Sequence, residues 1–155
     1  MPAQQEYGAA LDQVLELTVL LNDDMTTSLA REGLTASRAH LLWELLQRGP
    51  TTQRVLADAL GVSARNVTGL VDALVATGFV TREAHPTDRR ATLVSFTDRG
   101  AASAAGLRQG HEELAALLFA AMPANRFACF AEGLDELLGR LRDRLLAEGE
   151  ESAHA

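Results

Sequence analysis

"TTQRVLADALGVSARNVTGLVDALVATG", residues 51–78, reads as two short helices around a glycine turn. Thr51 or Thr52 is placed to cap a short helix that turns Val55, Leu56, Ala59 and Leu60 inward. Gly61 follows where a tight turn needs positive φ, a conformation open to a residue without Cβ. Ser63 then caps a second helix, on which Val67, Leu70, Val71, Leu74 and Val75 form one apolar stripe. Gly78 closes that helix as the residue just past its end. Two short helices joined across a glycine turn have the spacing of a helix-turn-helix.

Beyond Gly78 the hydrophobic period changes. "FVTREAH" (79–85) and "ATLVSFT" (91–97) are β-rich runs flanking Pro86-Thr87-Asp88-Arg89-Arg90, which predicts a hairpin with two arginines at its bend. Upstream, Leu11, Val14, Leu15, Thr18, Leu21 and Met25 recur at helical intervals over Glu6 to Arg31. A loop, a cap at Thr35 or Ser37 and a helix over Arg38–Arg48 come next, stopped by Gly49-Pro50. Downstream, Thr97 caps a long helix carrying Leu107, His111, Leu114, Leu117 and Leu118. Pro123 suits the first turn of a last helix, whose apolar positions run from Phe127 and Phe130 through Leu134, Leu137, Leu138 and Leu141 to Leu145. The chain after Gly149 reads as a frayed tail. The expected fold is mainly α with a small β-hairpin wing (α+β), a winged helix-turn-helix of six helices.

Composition sets the limits. The 155 residues suit one domain, or one domain plus an oligomerisation element, and carry a formal charge of −7. That charge is uneven. Residues 38–99 hold eight Arg against six acids, whereas residues 1–37 hold one Arg against six, and residues 100–155 five against nine. The middle of the chain is its only cationic part, which points to an anionic partner there. No run approaches eighteen apolar residues and no leader pattern opens the chain, so a soluble, cytoplasmic protein without membrane contact is expected. The single cysteine, Cys129, excludes an intrachain disulfide and a cysteine-based zinc cluster, and between Phe127 and Phe130 it reads as a small buried hydrophobe. His40, His85, His111 and His154 are scattered, so neither metal nor cofactor is expected. No G-x-S-x-G, P-loop or H-E-x-x-H pattern appears, which argues against an enzyme.

The second helix of the central motif has a polar start: Ser63, Arg65, Asn66 and Thr68 lie in its first two turns. A helix of that length fits the roughly 12 Å-wide major groove with its N-terminal residues nearest the base edges. Arg65 matches a guanine edge and Asn66 an adenine edge, while Ser63 and Thr68 suit phosphate. Gln53 and Arg54, opening the preceding helix, are placed to grip the backbone. Read without DNA, Ser63 is a helix cap, and Arg65 and Asn66 are solvated surface.

Asp88-Arg89-Arg90, followed by Leu93, Thr97 and Gly100, resembles the wing signature of the MarR family of transcriptional regulators. "LT" at 34–35, "LADALGVSARNVTGLVDAL" at 56–74 and "GFVTR" at 78–82 extend the resemblance over most of the chain. It implies that Arg90 enters the minor groove, where a narrowed groove concentrates negative potential, with Asp88 steadying its guanidinium. Arg89 is then left for phosphate or solvent. It also implies a homodimer: 1–34 as an N-terminal dimerisation helix, 35–100 as the DNA-binding lobe, 101–148 as C-terminal dimerisation helices and 149–155 as a flexible tail. The function implied is a repressor of a pseudo-palindromic double-stranded DNA operator, released by a small-molecule effector. His40, Trp43 and His111 are the candidate effector contacts. The competing expectation is a winged-helix protein-interaction module that does not bind DNA, which the acidic flanks keep open.

Overall fold

The computed structural model describes residues 4–153, with side chains described as far as residue 148. Its element order is α1 (Gln4–Arg31), α2 (Ala36–Arg48), β1 (Thr51–Thr52), α3 (Gln53–Leu60), α4 (Ala64–Ala76), β2 (Val80–Ala84), β3 (Thr92–Phe96), α5 (Asp98–Phe119) and α6 (Ala124–Ala153). The expected six helices and wing are therefore present. By internal contacts the chain divides into two units, one ending at Gln109 and the other starting at Gly110.

The first unit holds the winged helix-turn-helix, and local sequence explains most of its boundaries. Thr35, not Ser37, caps α2, its side chain accepting the Arg38 N–H. Thr52 caps α3 and Ser63 caps α4 by the same geometry. Gly61 takes the left-handed conformation (φ 65°, ψ 34°) that turns the chain between them. At the end of α4, Gly78 (φ 81°) lets its own N–H reach the Val75 carbonyl and the Phe79 N–H reach that of Leu74. That double closure leaves Phe79 and Leu74 buried together in the core.

The core draws Leu41, Leu42 and Leu45 from α2, Leu56 from α3, Val67, Val71 and Leu74 from α4, and Phe79, Val80 and Val94 from the β region. Burying each such side chain contributes about 1.5–3 kcal/mol. Two positions depart from the expected stripes. Val55 is 42% exposed because the buried side of α3 is centred on Leu56 and Ala57, a rotation that turns Val55 outward. Val75 is exposed at the rim of α4.

The sheet has one strand more than the hairpin the sequence predicts. Its order is β1-β3-β2, all antiparallel, with Thr51 and Thr52 paired to Val94 and Leu93. On the other side Val80 pairs with Phe96 and Arg82 with Val94. The last strand leads directly into α5, where the Thr97 hydroxyl donates to the Gly78 carbonyl at 2.5 Å and accepts the Gly100 N–H at 3.0 Å.

In α1, Leu29 is buried, while Leu11, Leu15, Val19, Leu20 and Met25 are each more than half exposed. In the second unit, Phe119 meets the rings of Phe127 and Phe130 at 5.4 and 5.7 Å. The remaining apolar face of α6, including Leu134, Leu137, Leu141 and Leu145, is exposed. Cys129 is exposed too, contrary to expectation, because helical spacing puts it on the face of Glu132, Glu136 and Arg140 and away from the stripe of Phe127, Phe130 and Leu134. On the polar side, the Glu148 carboxylate accepts from Arg144 Nε at 2.8 Å and raises the arginine's pKa. The helix runs on through Gly149 to Ala153, where the sequence suggests a frayed tail, and residues 154 and 155 lie outside the described residues. Among the described residues no single helix is long and apolar enough to cross a membrane.

Candidate nucleic-acid interface

The first turn of α4 begins at a fixed point. Ser63, extended at φ −68° and ψ 159°, accepts the Asn66 N–H at 3.1 Å. The hydroxyl is thus engaged as a cap, as the sequence suggests. Arg65 and Asn66 follow on the exposed turn, and neither side chain has a hydrogen-bond or ionic partner among the described residues. Arg54 on α3 is likewise exposed and unpaired among them. The far end of α4 is held by Arg99, whose guanidinium donates to the Thr77 carbonyl at 2.8 Å and lies 4.5 Å over the Phe79 ring. A cation at a helix C-terminus is favourably placed there. Sequence reasoning did not single out Arg99.

Gln53 and Thr68, expected as backbone grips, are bonded to each other instead of standing free. Gln53 Nε2 donates to Thr68 Oγ1 at 3.1 Å, and that hydroxyl donates in turn to the Ala64 carbonyl at 2.8 Å. The Gln53 amide oxygen accepts from Arg82 Nε at 3.1 Å, and the same guanidinium bonds the Asp72 carboxylate. Arg82 and Asp72 were not among the candidate site residues. The partners lie on β2, α3 and α4, and no sequence spacing announces a contact of that kind.

The wing tip is built around two acceptors. His85 Nδ1 accepts the Thr87 and Asp88 backbone N–H groups at 3.2 and 3.1 Å. Asp88 Oδ1 accepts the backbone N–H of Arg90 at 2.9 Å. The expected contact of Asp88 with the Arg90 guanidinium is therefore replaced by a turn-forming bond to the main chain, the local geometry that Asp side chains favour. Both Arg89 and Arg90 are exposed, and their guanidinium groups have no partner among the described residues. Between the wing root and the start of α3 lies a shallow groove of about 520 Å³, lined by Thr52, Gln53, Arg54, Arg82, Asp88, Ala91 and Thr92.

The effector candidates lie on α2 and α5. His40 is exposed on α2 and lies 3.6 Å from Glu44, Trp43 is half-buried on the same helix, and His111 is exposed in the second unit. Among the described residues no three His, Cys, Asp or Glu side chains are gathered as metal ligands, and His154 lies outside them.

Comparison with known proteins agrees with this geometry. Residues 34–92 match the model of the MarR family. The chain is 29% identical over 80 residues to the HTH-type transcriptional regulator MhqR of Bacillus subtilis, covering 52% of this chain and 55% of that protein. It is 36% identical over 83 residues to the uncharacterised HTH-type transcriptional regulator YfiV of the same organism, covering 53% and 51%. The matches span about half the length of these curated relatives. Among solved structures, the YusO protein of Bacillus subtilis superposes with a TM-score of 0.73 at 20% identity, over 90% of this chain and 99% of that one. That likeness shows the shared fold.

Proposed function

We propose that this chain, whose residues 34–92 match the MarR family, is a transcriptional regulator that binds a pseudo-palindromic double-stranded DNA operator as a homodimer. The observation that carries the proposal is the set of uncommitted side chains on one lobe of an acidic protein: Arg65 and Asn66 on the first turn of α4, and Arg89 and Arg90 at the wing tip. In this reading α4 is the recognition helix. Arg65 meets a guanine edge and Asn66 an adenine edge in the major groove, contacts their side-chain geometry suits. Arg90 enters the neighbouring minor groove, and Arg89 and Arg54 neutralise phosphates. Ser63 adds little beyond its cap.

The exposed apolar faces of α1 and α6 support the homodimer, since faces of that extent are costly to leave in water. Two copies related by a two-fold axis present their recognition helices about 34–36 Å apart, one turn of DNA. The regulator acts as a cytoplasmic repressor that a small-molecule effector releases, with His40, Trp43 and His111 as the residues to vary first.

The test is selection from a random-sequence duplex library with the full chain. The expected result is enrichment of an inverted repeat whose half-site centres lie one helical turn apart. Failure to enrich any sequence would overturn the proposal and favour a winged-helix protein-interaction module.

A further inference from the structure

We propose that Asp72, Arg82, Gln53 and Thr68 form a positioning relay that fixes the recognition helix against the wing and so sets operator discrimination without touching DNA. The inference rests on the DNA-binding reading above. Arg82 pairs with Val94 across the sheet and alternates with Val80, so it shares their face, the one turned to the helices. Its guanidinium divides between two elements: Nε donates to the Gln53 amide oxygen on α3, and Nη2 to Asp72 Oδ1 on α4. Gln53 passes the connection on through Nε2 to Thr68 Oγ1, which bonds the Ala64 carbonyl one turn earlier. The wing strand therefore holds α4 at two points, Thr68 and Asp72, four residues apart on one face. Two attachments fix the rotation of a helix about its axis as well as its position along it. Rotation decides whether Arg65 and Asn66 aim at base edges.

The chemistry separates this role from a phosphate contact. Asp72 meets the Arg82 charge, both ends of the Gln53 amide are engaged, and the Thr68 hydroxyl both donates and accepts within the protein. An acidic residue on the DNA-binding lobe would ordinarily repel the duplex, so Asp72→Ala should strengthen binding if charge alone mattered. The relay predicts the opposite sign for the operator.

The experiment measures fluorescence anisotropy with the selected operator and with a random duplex across a salt series. The proteins are wild type, Asp72→Ala, Arg82→Ala, the double variant, Thr68→Val and Thr68→Ser. Asp72 is 61% exposed, so its truncation leaves the core intact. The relay predicts about tenfold weaker operator binding by Asp72→Ala, Arg82→Ala and Thr68→Val, on the scale of one lost bidentate base contact. The double variant should lose no more than Arg82→Ala alone, and Thr68→Ser should bind as wild type. Random-duplex affinity of Asp72→Ala should hold or rise, and no variant should change the operator's salt slope. Operator binding by Asp72→Ala equal to or tighter than wild type would overturn the relay, as would a slope about one unit shallower in Arg82→Ala. Hydrogen exchange of the free protein supplies a readout independent of DNA. Asp72→Ala should speed exchange at α4 amides even though alanine is the better helix former, and unchanged exchange would overturn the relay. If wild type selects no DNA, the DNA-binding reading fails, and this exchange result still decides whether the relay exists.

Discussion

The Asp88 carboxylate holds the main chain of Arg90, at 2.9 Å from its amide nitrogen, and leaves the guanidinium of that residue uncommitted. Asp88 therefore shapes the wing tip, and its negative charge is incidental to that role. We predict that Asp88→Ala weakens operator binding by up to about tenfold, the scale of one hydrogen bond, although it removes an acid from the proposed DNA-binding face. Asp88→Asn retains an acceptor and should bind within about twofold of wild type on the same scale. Anisotropy titrations of the two variants check this: equal losses would implicate the charge.

Gly100 is where α5 passes against the end of the helix-turn-helix. A Cβ built there would lie 1.7 Å from the Phe79 carbonyl oxygen and 2.7 Å from its carbon, both backbone atoms that cannot swing aside. Gly100→Ala should destabilise the protein by about 2–3 kcal/mol, at the upper end of ordinary overpacking. Gly106→Ala, further along α5 with open space at its Cβ, should be neutral or slightly stabilising. Thermal unfolding of both variants gives the comparison.

Ser63 separates stability from binding. Its hydroxyl caps α4, so Ser63→Ala should cost about 1 kcal/mol of stability. Ser63→Asp keeps the cap and favours the positive end of the helix dipole, so it should fold as well as wild type. The added carboxylate sits at the start of the proposed recognition helix, and operator affinity should fall by at least about tenfold through repulsion of phosphate. Denaturant melts and DNA titrations on the same samples resolve the two effects.

The exposed apolar face of α6 carries the homodimer prediction. Leu134 and Leu141, 39% and 49% exposed in the single chain, lie seven residues apart on that face. Replacing both by Glu should convert the proposed dimer into a monomer in sedimentation velocity while helix content is retained. The same change should weaken operator binding much more than binding to a single half-site, because only a dimer reads both halves at once. A monomeric wild type would remove the basis for a two-fold operator.

Much of the fold was legible because its signals are local. Thr52, Ser63 and Thr97 cap their helices where the sequence places caps, and Gly61 and Gly78 take the positive φ their turns need. What sequence missed depends on partners distant along the chain. The two-residue strand Thr51–Thr52 is too short for periodicity, and only its pairing with Val94 and Leu93 defines it. Arg82 reaches Asp72 and Gln53, ten and twenty-nine residues away, across three elements. The inward placement of Val55 failed because an eight-residue helix offers too few positions to fix the centre of its stripe. The aromatic neighbours of Cys129 along the chain suggest burial, but on the helix it shares a face with Glu132, Glu136 and Arg140 and is exposed. At the candidate site the polar residue types were legible from the sequence. Which of them are committed to the fold, as Gln53, Thr68 and Asp88 are, required the geometry.

Whether the wing and the proposed recognition helix grip DNA is read from the salt dependence of operator binding in wild type and Arg90→Ala. Each phosphate neutralised contributes about −0.9 to the slope of log affinity against log salt. An arginine seated in a charged minor groove should contribute on a similar scale. Wild type should bind tightly and lose affinity steeply with salt, and Arg90→Ala should show a lower affinity with a slope shallower by about one. Identical affinities and slopes in the two proteins would contradict that grip.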